Sequence, residues 1–199
     1  MANQTITILH VLSQVPDFTG SATFLRMLIN TCNNYDFIKQ YVVYGIPYYE
    51  TDKYLLDLPK KFHYPVLFET DELPFSVPGM SDIEPYISSK YSEMLPVNFK
   101  KYYNAFRAKL KSVINTFKPD IIWSHHLWLV SSILSEIKIN IPQITFCHAT
   151  EIRQLQLAPN YSKYVISRSK NIDKVLVASL AQKNEIIEKY GLNKSNELA

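Results

Sequence analysis

Two stretches of this chain restrict its fold more than any others. They are Asp120-Ile-Ile-Trp-Ser-His-His126 and Gln143-Ile-Thr-Phe-Cys-His-Ala-Thr-Glu-Ile-Arg153. Each begins as a continuous apolar run of strand length and ends in histidine. Strands that alternate apolar and polar residues face water on one side, whereas continuous apolar runs belong to sheets buried on both faces, which are mostly parallel. Pro142 precedes the second run, at a strand's entry, where a missing N–H costs nothing. The intervening Leu127 to Ile139 is long enough for a crossover helix, so the pair reads as a βαβ unit. Open α/β sheets bind ligands beyond the carboxyl ends of their strands. That edge, carrying His125, His126 and His148, is the expected site.

The rest of the chain extends this pattern. Ile6 to Leu12 predicts a strand, followed by a loop to Gly20 and a helix capped by Ser21 and running to about Asn33, with Phe24, Leu25, Leu28 and Ile29 on one face. A helix N-terminus after a strand is an anion site by virtue of its free N–H groups. The dinucleotide fingerprint needs three glycines and this loop has only Gly20, which argues against a nicotinamide or flavin cofactor. Gln40 to Gly45 and Phe62 to Leu67 predict two more strands. A short helix is expected over Glu50 to Leu58, a proline-rich loop over Asp71 to Met80, and a broken helix over Asp82 to Leu95. Phe99, Tyr103, Phe106, Leu110, Val113 and Phe117 recur at steps of three and four and predict a helix stopped by Pro119. Pro159 to Ser169 follows as a helix and Val175 to Ala178 as a strand. Ser179 then caps a helix through Tyr190, with Gly191 as its C′ residue. The expected fold class is α/β, a doubly wound Rossmann-like parallel sheet with helices on both faces.

Composition removes several alternatives. A chain of 199 residues that is 47% hydrophobic and 20% charged can bury a core. No apolar run reaches the roughly 18 residues that span a bilayer. Cys32 and Cys147 have no metal-type spacing and read as free thiols in a reducing cytoplasm. A net charge of +3 does not imply nucleic acid. Its distribution is uneven, however: Lys100, Lys101, Arg107, Lys109, Lys111 and Lys118 lie on one helix that has no acidic residue between them. A basic amphipathic helix can lie on an anionic membrane surface, with Tyr102 and Tyr103 at the headgroup layer; the competing reading is a core-facing helix whose solvated side is basic.

Taken in order, the opening ILHVLSQVPDFTGSATFLRMLI, the strand PDIIWSHH, the segment HATE and the closing VLVASLAQKNEIIEKYGL resemble the N-terminal half of group 1 glycosyltransferases, the GT-B enzymes of glycosyltransferase family 4. The resemblance spans essentially the whole chain. It implies residues 1–199 are the acceptor-side Rossmann-like domain, with the donor-binding C-terminal domain absent from this chain and the active site in a cleft between the two. It also implies a nucleotide-sugar donor (UDP-, GDP- or ADP-sugar) as substrate, with no covalently bound cofactor. The acceptor would be a glycan or a lipid-linked glycan of envelope polysaccharide synthesis, met in the cytoplasm or peripherally at the inner face of the membrane. His148 would lie beside the donor sugar and its phosphate as the catalytic residue, and Thr19, Gly20 and Ser21 would form the donor-phosphate loop. Glu151, His125, His126 and Arg153 would line the acceptor side. Two departures stand out. Relatives usually carry two adjacent glycines where this chain has Gly20 between Thr19 and Ser21. The Arg/Lys pair and Glu-x7-Glu motif of the second domain do not occur before Ala199, so the isolated chain is expected to be inactive.

Two other readings use the same residues. Glu151 either meets acceptor hydroxyls, supports His148, or complements a helix dipole, and Trp123 and Trp128 suggest one histidine of the His125–His126 pair packed and the other exposed. His125 or His126 with His148 and Glu151 would supply three ligands for a metal-dependent hydrolase. A non-catalytic module binding a nucleotide or sugar is the remaining class.

Overall fold

The computed structural model describes residues 5–53, 56–81, 83–137, 140–192 and 197–198. In chain order the strands are β1 (Ile6–Leu12), β2 (Ile38–Pro47), β3 (His63–Phe68), β4 (Pro78–Gly79), β5 (Ser89–Lys90), β6 (Ile121–His125), β7 (Gln143–Phe146), β8 (Lys174–Leu176) and β9 (Glu197–Leu198). The helices are α1 (Gly20–Cys32), α2 (Pro96–Phe117), α3 (Leu129–Ser135), α4 (Thr150–Leu157), α5 (Pro159–Ser169) and α6 (Leu180–Tyr190). One sheet has the order β3-β2-β1-β6-β7-β8-β9 with every pairing parallel, and β4 and β5 form a separate small ladder. From β1 the chain runs out to β2 and β3, then returns to β6 on the other side of β1. The strand order therefore reverses between β1 and β6, the place where open α/β sheets form a crevice.

The continuous apolar runs behave as their composition demands. β2 is buried from Gln40 through Pro47, which requires cover on both faces. The edge strand β3 accommodates Pro65, because its unpaired side needs no N–H. Gly45 sits where β2 passes the end of β1, and a Cβ there would lie 2.4 Å from the Ser13 carbonyl oxygen. Of the α2 stripe, Phe106, Leu110 and Val113 are buried and Phe99, Tyr103 and Phe117 pack half-buried against the core; Tyr102, outside the expected stripe, is fully buried. Tyr102 is therefore enclosed and cannot reach a lipid headgroup layer, contrary to the sequence expectation.

Several boundaries differ from expectation for identifiable reasons. The N-cap of α1 is Thr19 rather than Ser21; its hydroxyl accepts from the Ala22 N–H at 3.2 Å. α2 starts at Pro96, whose missing N–H suits a first turn, and ends at Lys118 in the left-handed region with φ 47°. The expected helix over Glu50 to Leu58 is instead a 3₁₀ turn, Tyr48–Glu50, followed by turns; residues 54 and 55 lie outside the described residues. No α-helix forms among the described residues of Asp82 to Leu95, where Asp82 itself lies outside them. Glu84 turns inward to accept the Ser81 N–H at 2.8 Å, and β5 and the turn Tyr91–Glu93 follow. α3 is shorter than the expected Leu127 to Ile139, of which residues 138 and 139 lie outside the described residues. The Ser179 cap and Gly191, at φ 60°, fall as expected.

Candidate active site

A cavity of about 430 Å³ opens at the carboxyl edge of the sheet, beside the switch between β1 and β6. Its walls come from four places: Gln14 beyond β1, Thr19 to Ser21 with Phe24 at the start of α1, His126 beyond β6, and His148 with Thr150 beyond β7. Met80, Ser81, Glu84 and Pro85 close the remaining side. As the first two helical residues, Gly20 and Ser21 carry backbone N–H groups that no intrahelical carbonyl can reach. A Cβ on Gly20 would meet nothing within 4 Å, so the helix end faces open space.

Beneath the cavity lies a connected polar network. The Gln14 amide nitrogen donates to Glu84 Oε1 and to the Tyr86 hydroxyl, both at 3.2 Å. That donation turns the Gln14 carbonyl oxygen the other way, toward the Ser21 hydroxyl at 3.2 Å and His126 Nε2 at 2.9 Å. The other His126 nitrogen, Nδ1, meets Glu151 Oε1 at 2.9 Å. Through its two ring nitrogens His126 thus bridges Gln14 and Glu151 in an enclosed network. The same Glu151 oxygen accepts the His148 backbone N–H at 2.9 Å. Left-handed backbone at His126 (φ 66°) and Ala149 (φ 74°) aims these groups. Such conformations cost on the order of 1–3 kcal/mol each in non-glycine residues and persist only where surrounding contacts hold them. For His126 those contacts include the Ser131 hydroxyl, which donates to its carbonyl at 2.6 Å.

A second contact fixes the His148 ring. His125 Nδ1 and His148 Nε2 are 3.2 Å apart, with the two rings stacked. His125 is fully buried and its Nε2 has no partner among the described residues. Burying an unmet N–H is the rarer and costlier arrangement, so the His125 hydrogen belongs on Nδ1, donating to His148. His148 then carries its own hydrogen on Nδ1, the nitrogen left for a ligand. Burial, and secondarily the His126 charge, push the His148 pKa down to about 3. Burial likewise holds His125 well below the ordinary histidine value, with His148 the next contributor. His148 thus offers a neutral hydrogen-bond donor rather than a positive charge. For Glu151 burial alone would raise the carboxyl. The His126 hydrogen bond and charge, with the His148 N–H, outweigh it and lower the carboxyl. Burial raises the Glu84 carboxyl, offset in part by the Ser81 N–H.

The structure gathers Thr19, Gly20, Ser21, His126 and His148 at one cavity. It places His125 and Glu151 behind that surface, fully buried. Neither histidine of the His125–His126 pair is exposed: His125 is buried at the end of β6, and His126 follows on left-handed backbone with its ring held by Gln14 and Glu151. Arg153 is exposed on α4 and does not line the cavity. A metal site is not formed: no group of three His, Cys, Asp or Glu among the described residues is arranged to hold an ion. The ring nitrogens that such a site needs are spent on Gln14, Glu151 and one another. Sequence reasoning missed Gln14, Glu84 and Phe24 as parts of the site. Gln14 meets partners 70 and 112 residues away, a separation no local pattern reveals. Phe24 had been counted toward a core face; it stacks on Phe146 at 4.4 Å and sets its edge against His125 and His148.

Comparison with known proteins fits this architecture. Among solved structures the chain resembles sucrose-phosphate synthase from Thermosynechococcus elongatus, with a TM-score of 0.60 and 14% identity over 97% of this chain and 47% of that one. It resembles UDP-GlcNAc 2-epimerase from Neisseria meningitidis, solved with UDP-GlcNAc, with a TM-score of 0.59 and 12% identity over 98% of this chain and 46% of the epimerase. A third similar structure is the N-terminal domain of trehalose-6-phosphate phosphatase from Candida albicans, with a TM-score of 0.58 and 16% identity over 96% and 44%. At such identities the likeness establishes the fold, a Rossmann-like half of the GT-B type, and the chain spans under half the length of these proteins. No curated protein sequence matches the chain significantly. The family model for Glycosyltransferase Family 4 matches residues 66–196, more than half of the chain, and the chain belongs to that family.

Proposed function

We propose that this chain is the acceptor-side half of a nucleotide-sugar-dependent glycosyltransferase. The donor is a UDP-, GDP- or ADP-sugar, and the acceptor a glycan or lipid-linked glycan of envelope polysaccharide synthesis. The observation that carries this reading is one cavity lined both by the free N–H end of α1 and by His148. In transfer, the bond from the sugar to the diphosphate breaks and its electron pair leaves on the phosphate oxygen. The acceptor oxygen bonds the sugar carbon and releases its proton. Negative charge develops on the leaving phosphate, and fixed hydrogen-bond donors stabilise it without reorganising. The first N–H groups of α1 and the dipole of its 13 residues supply such donors. His148 adds a neutral N–H whose direction is set by His125 and whose backbone is held by Glu151. In this scheme Glu151, His125 and His126 are positioning residues.

His148→Ala in the catalytically complete enzyme is expected to lower kcat at least tenfold while nucleotide affinity stays nearly unchanged. An unchanged kcat would return His148 to a structural role. The 199-residue chain alone is expected to transfer no sugar, since it contains no Arg/Lys plus Glu-x7-Glu pattern; robust turnover would refute that. We also place the protein in the cytoplasm, with peripheral contact to anionic membrane through the exposed Lys100, Lys111 and Lys118 of the basic helix. No helix among the described residues is long and apolar enough to cross a membrane.

A further inference from the structure

A second cleft of about 290 Å³ adjoins the transfer cavity. Pro85 lines both spaces. The neighbouring Tyr86 hydroxyl accepts from the Gln14 amide that also carries His126, so one side chain braces the floors of the two. The cleft walls combine two kinds of surface. Phe18 is 54% exposed, Tyr49 56% and Ile87 75%, an unusual amount of aromatic and aliphatic surface at one place on a folded chain. Phe18 is held outward on left-handed backbone, at φ 65°. Beside these lie fixed charges: Lys53 donates to Glu50 at 2.9 Å, with the Glu50 side chain 20% exposed.

We propose that this cleft is the acceptor subsite and that it takes a pyranose ring. The inference rests on the transfer function proposed above, and it names the acceptor's chemical class and its location. A pyranose has an apolar C–H face and an edge of hydroxyls. Aromatic faces with a few placed polar groups recognise that combination. An acyl chain in the same cleft would desolvate Glu50 and Lys53 without replacing their water, which is costly. A volume near the lower end for ligand sites suits a single ring. Of the residues first expected on the acceptor side, His126 lines the first cavity, Glu151 and His125 are fully buried, and Arg153 lines neither space. A ring in the second cleft abuts the first across Pro85, next to the donor sugar.

The test uses the chain labelled at isoleucine δ1 and methionine ε methyls. Ile87 reports on the second cleft and Met80 on the first. Methyl glycosides of glucose, galactose, mannose and N-acetylglucosamine are titrated into the millimolar range. At least one is expected to move the Ile87 methyl saturably and leave Met80 in place. Tyr49→Ala should weaken that binding about tenfold, whereas Tyr49→Phe, which keeps the ring face, should retain it. Silence at Ile87 with all four glycosides, or equal binding by Tyr49→Ala, overturns the proposal. A parallel titration with UDP-, GDP- and ADP-glucose reads Met80. An Ile87 response to glycosides with Met80 silent to every nucleotide sugar supports the subsite and counts against the donor cavity.

Discussion

Acid should unfold this protein through its buried histidines. His10 is fully buried on β1 with Nε2 against the Gln40 side-chain oxygen at 2.8 Å, and burial pushes its pKa from 6.5 down to about 4. His148 falls from 6.5 to about 3, and His125 lies well below 6.5, burial being the main cause in each. These folded-state values are depressed, so between them and 6.5 the unfolded chain binds protons that the folded chain refuses. Stability therefore falls as pH drops below 6.5. From pH 6.5 to 5, His10 and His148 together remove roughly 3 kcal/mol, because the unfolded groups are half protonated at pH 6.5 and each approaches a slope of about 1.4 kcal/mol per pH unit only below that. His125 acts in the same direction. Glu84 opposes them, because its raised carboxyl takes a proton more readily in the folded state, but it is one group against four, since burial lowers His63 as well. Glu151 does not enter this window, since its lowered carboxyl loses its stabilising contribution only as pH falls below 4.5. A typical domain has only 5–15 kcal/mol in all, so the loss is a large share. Urea unfolding followed by circular dichroism should show the midpoint falling by about 1–3 M between pH 6.5 and 5. His10→Gln should make that dependence shallower by up to about 1.4 kcal/mol per pH unit. Equal midpoints at both pH values would refute the reasoning.

Three other expectations follow from the structure. Glu151→Ala leaves His126 and the His148 N–H without their acceptor and should cost about 3–5 kcal/mol, lowering Tm by about 6–20 °C; Asp52→Ala, at the exposed Lys60 pair, should cost about 1 kcal/mol or less. Gly45→Ala forces a Cβ against the Ser13 carbonyl and should cost about 1–3 kcal/mol, whereas Gly20→Ala, with open space around it, should stay within about 0.5 kcal/mol by thermal unfolding. Co-sedimentation should show binding to anionic vesicles that weakens with salt and falls when Lys100, Lys111 and Lys118 become Gln; equal pelleting with neutral and anionic vesicles, or none with either, would reject the membrane contact.

The architecture was legible because it rests on local physics. A run such as Ile121–Ile122–Trp123 can only be a strand covered on both faces, and α2 carries its core stripe at helical spacing. Thr19, Ser179 and Gly191 announce helix ends through short-range hydrogen bonds and left-handed backbone, which is why these ends were placed to within a residue or two. Apart from the strand expected over Phe62 to Leu67, which is β3, the stretch from Tyr48 to Met94 was not legible. Its conformation depends on distant partners: Glu84 turns toward Gln14, and Tyr91 is buried with its ring against Trp128. Near the end of Glu50 to Leu58 the Asp57 carbonyl likewise accepts from the distant Asn33 side chain, at 2.7 Å.

The site divides along the same line. Sequence alone determined that His125, His126 and His148 would gather at the carboxyl edge, because strand ends in a parallel sheet share one edge whatever the loops do. Tertiary structure decided what each histidine is. His125 is fully buried behind the cavity, while His126 and His148, beside left-handed backbone at His126 and Ala149, line its wall. The contacts across strands then spend the nitrogens that a metal would need, and turn Glu151 from a candidate ligand-binding group into an internal hydrogen-bond acceptor. Proton positions and charge depend on distances of a few ångströms between residues far apart in the chain, and no periodicity or spacing records such distances.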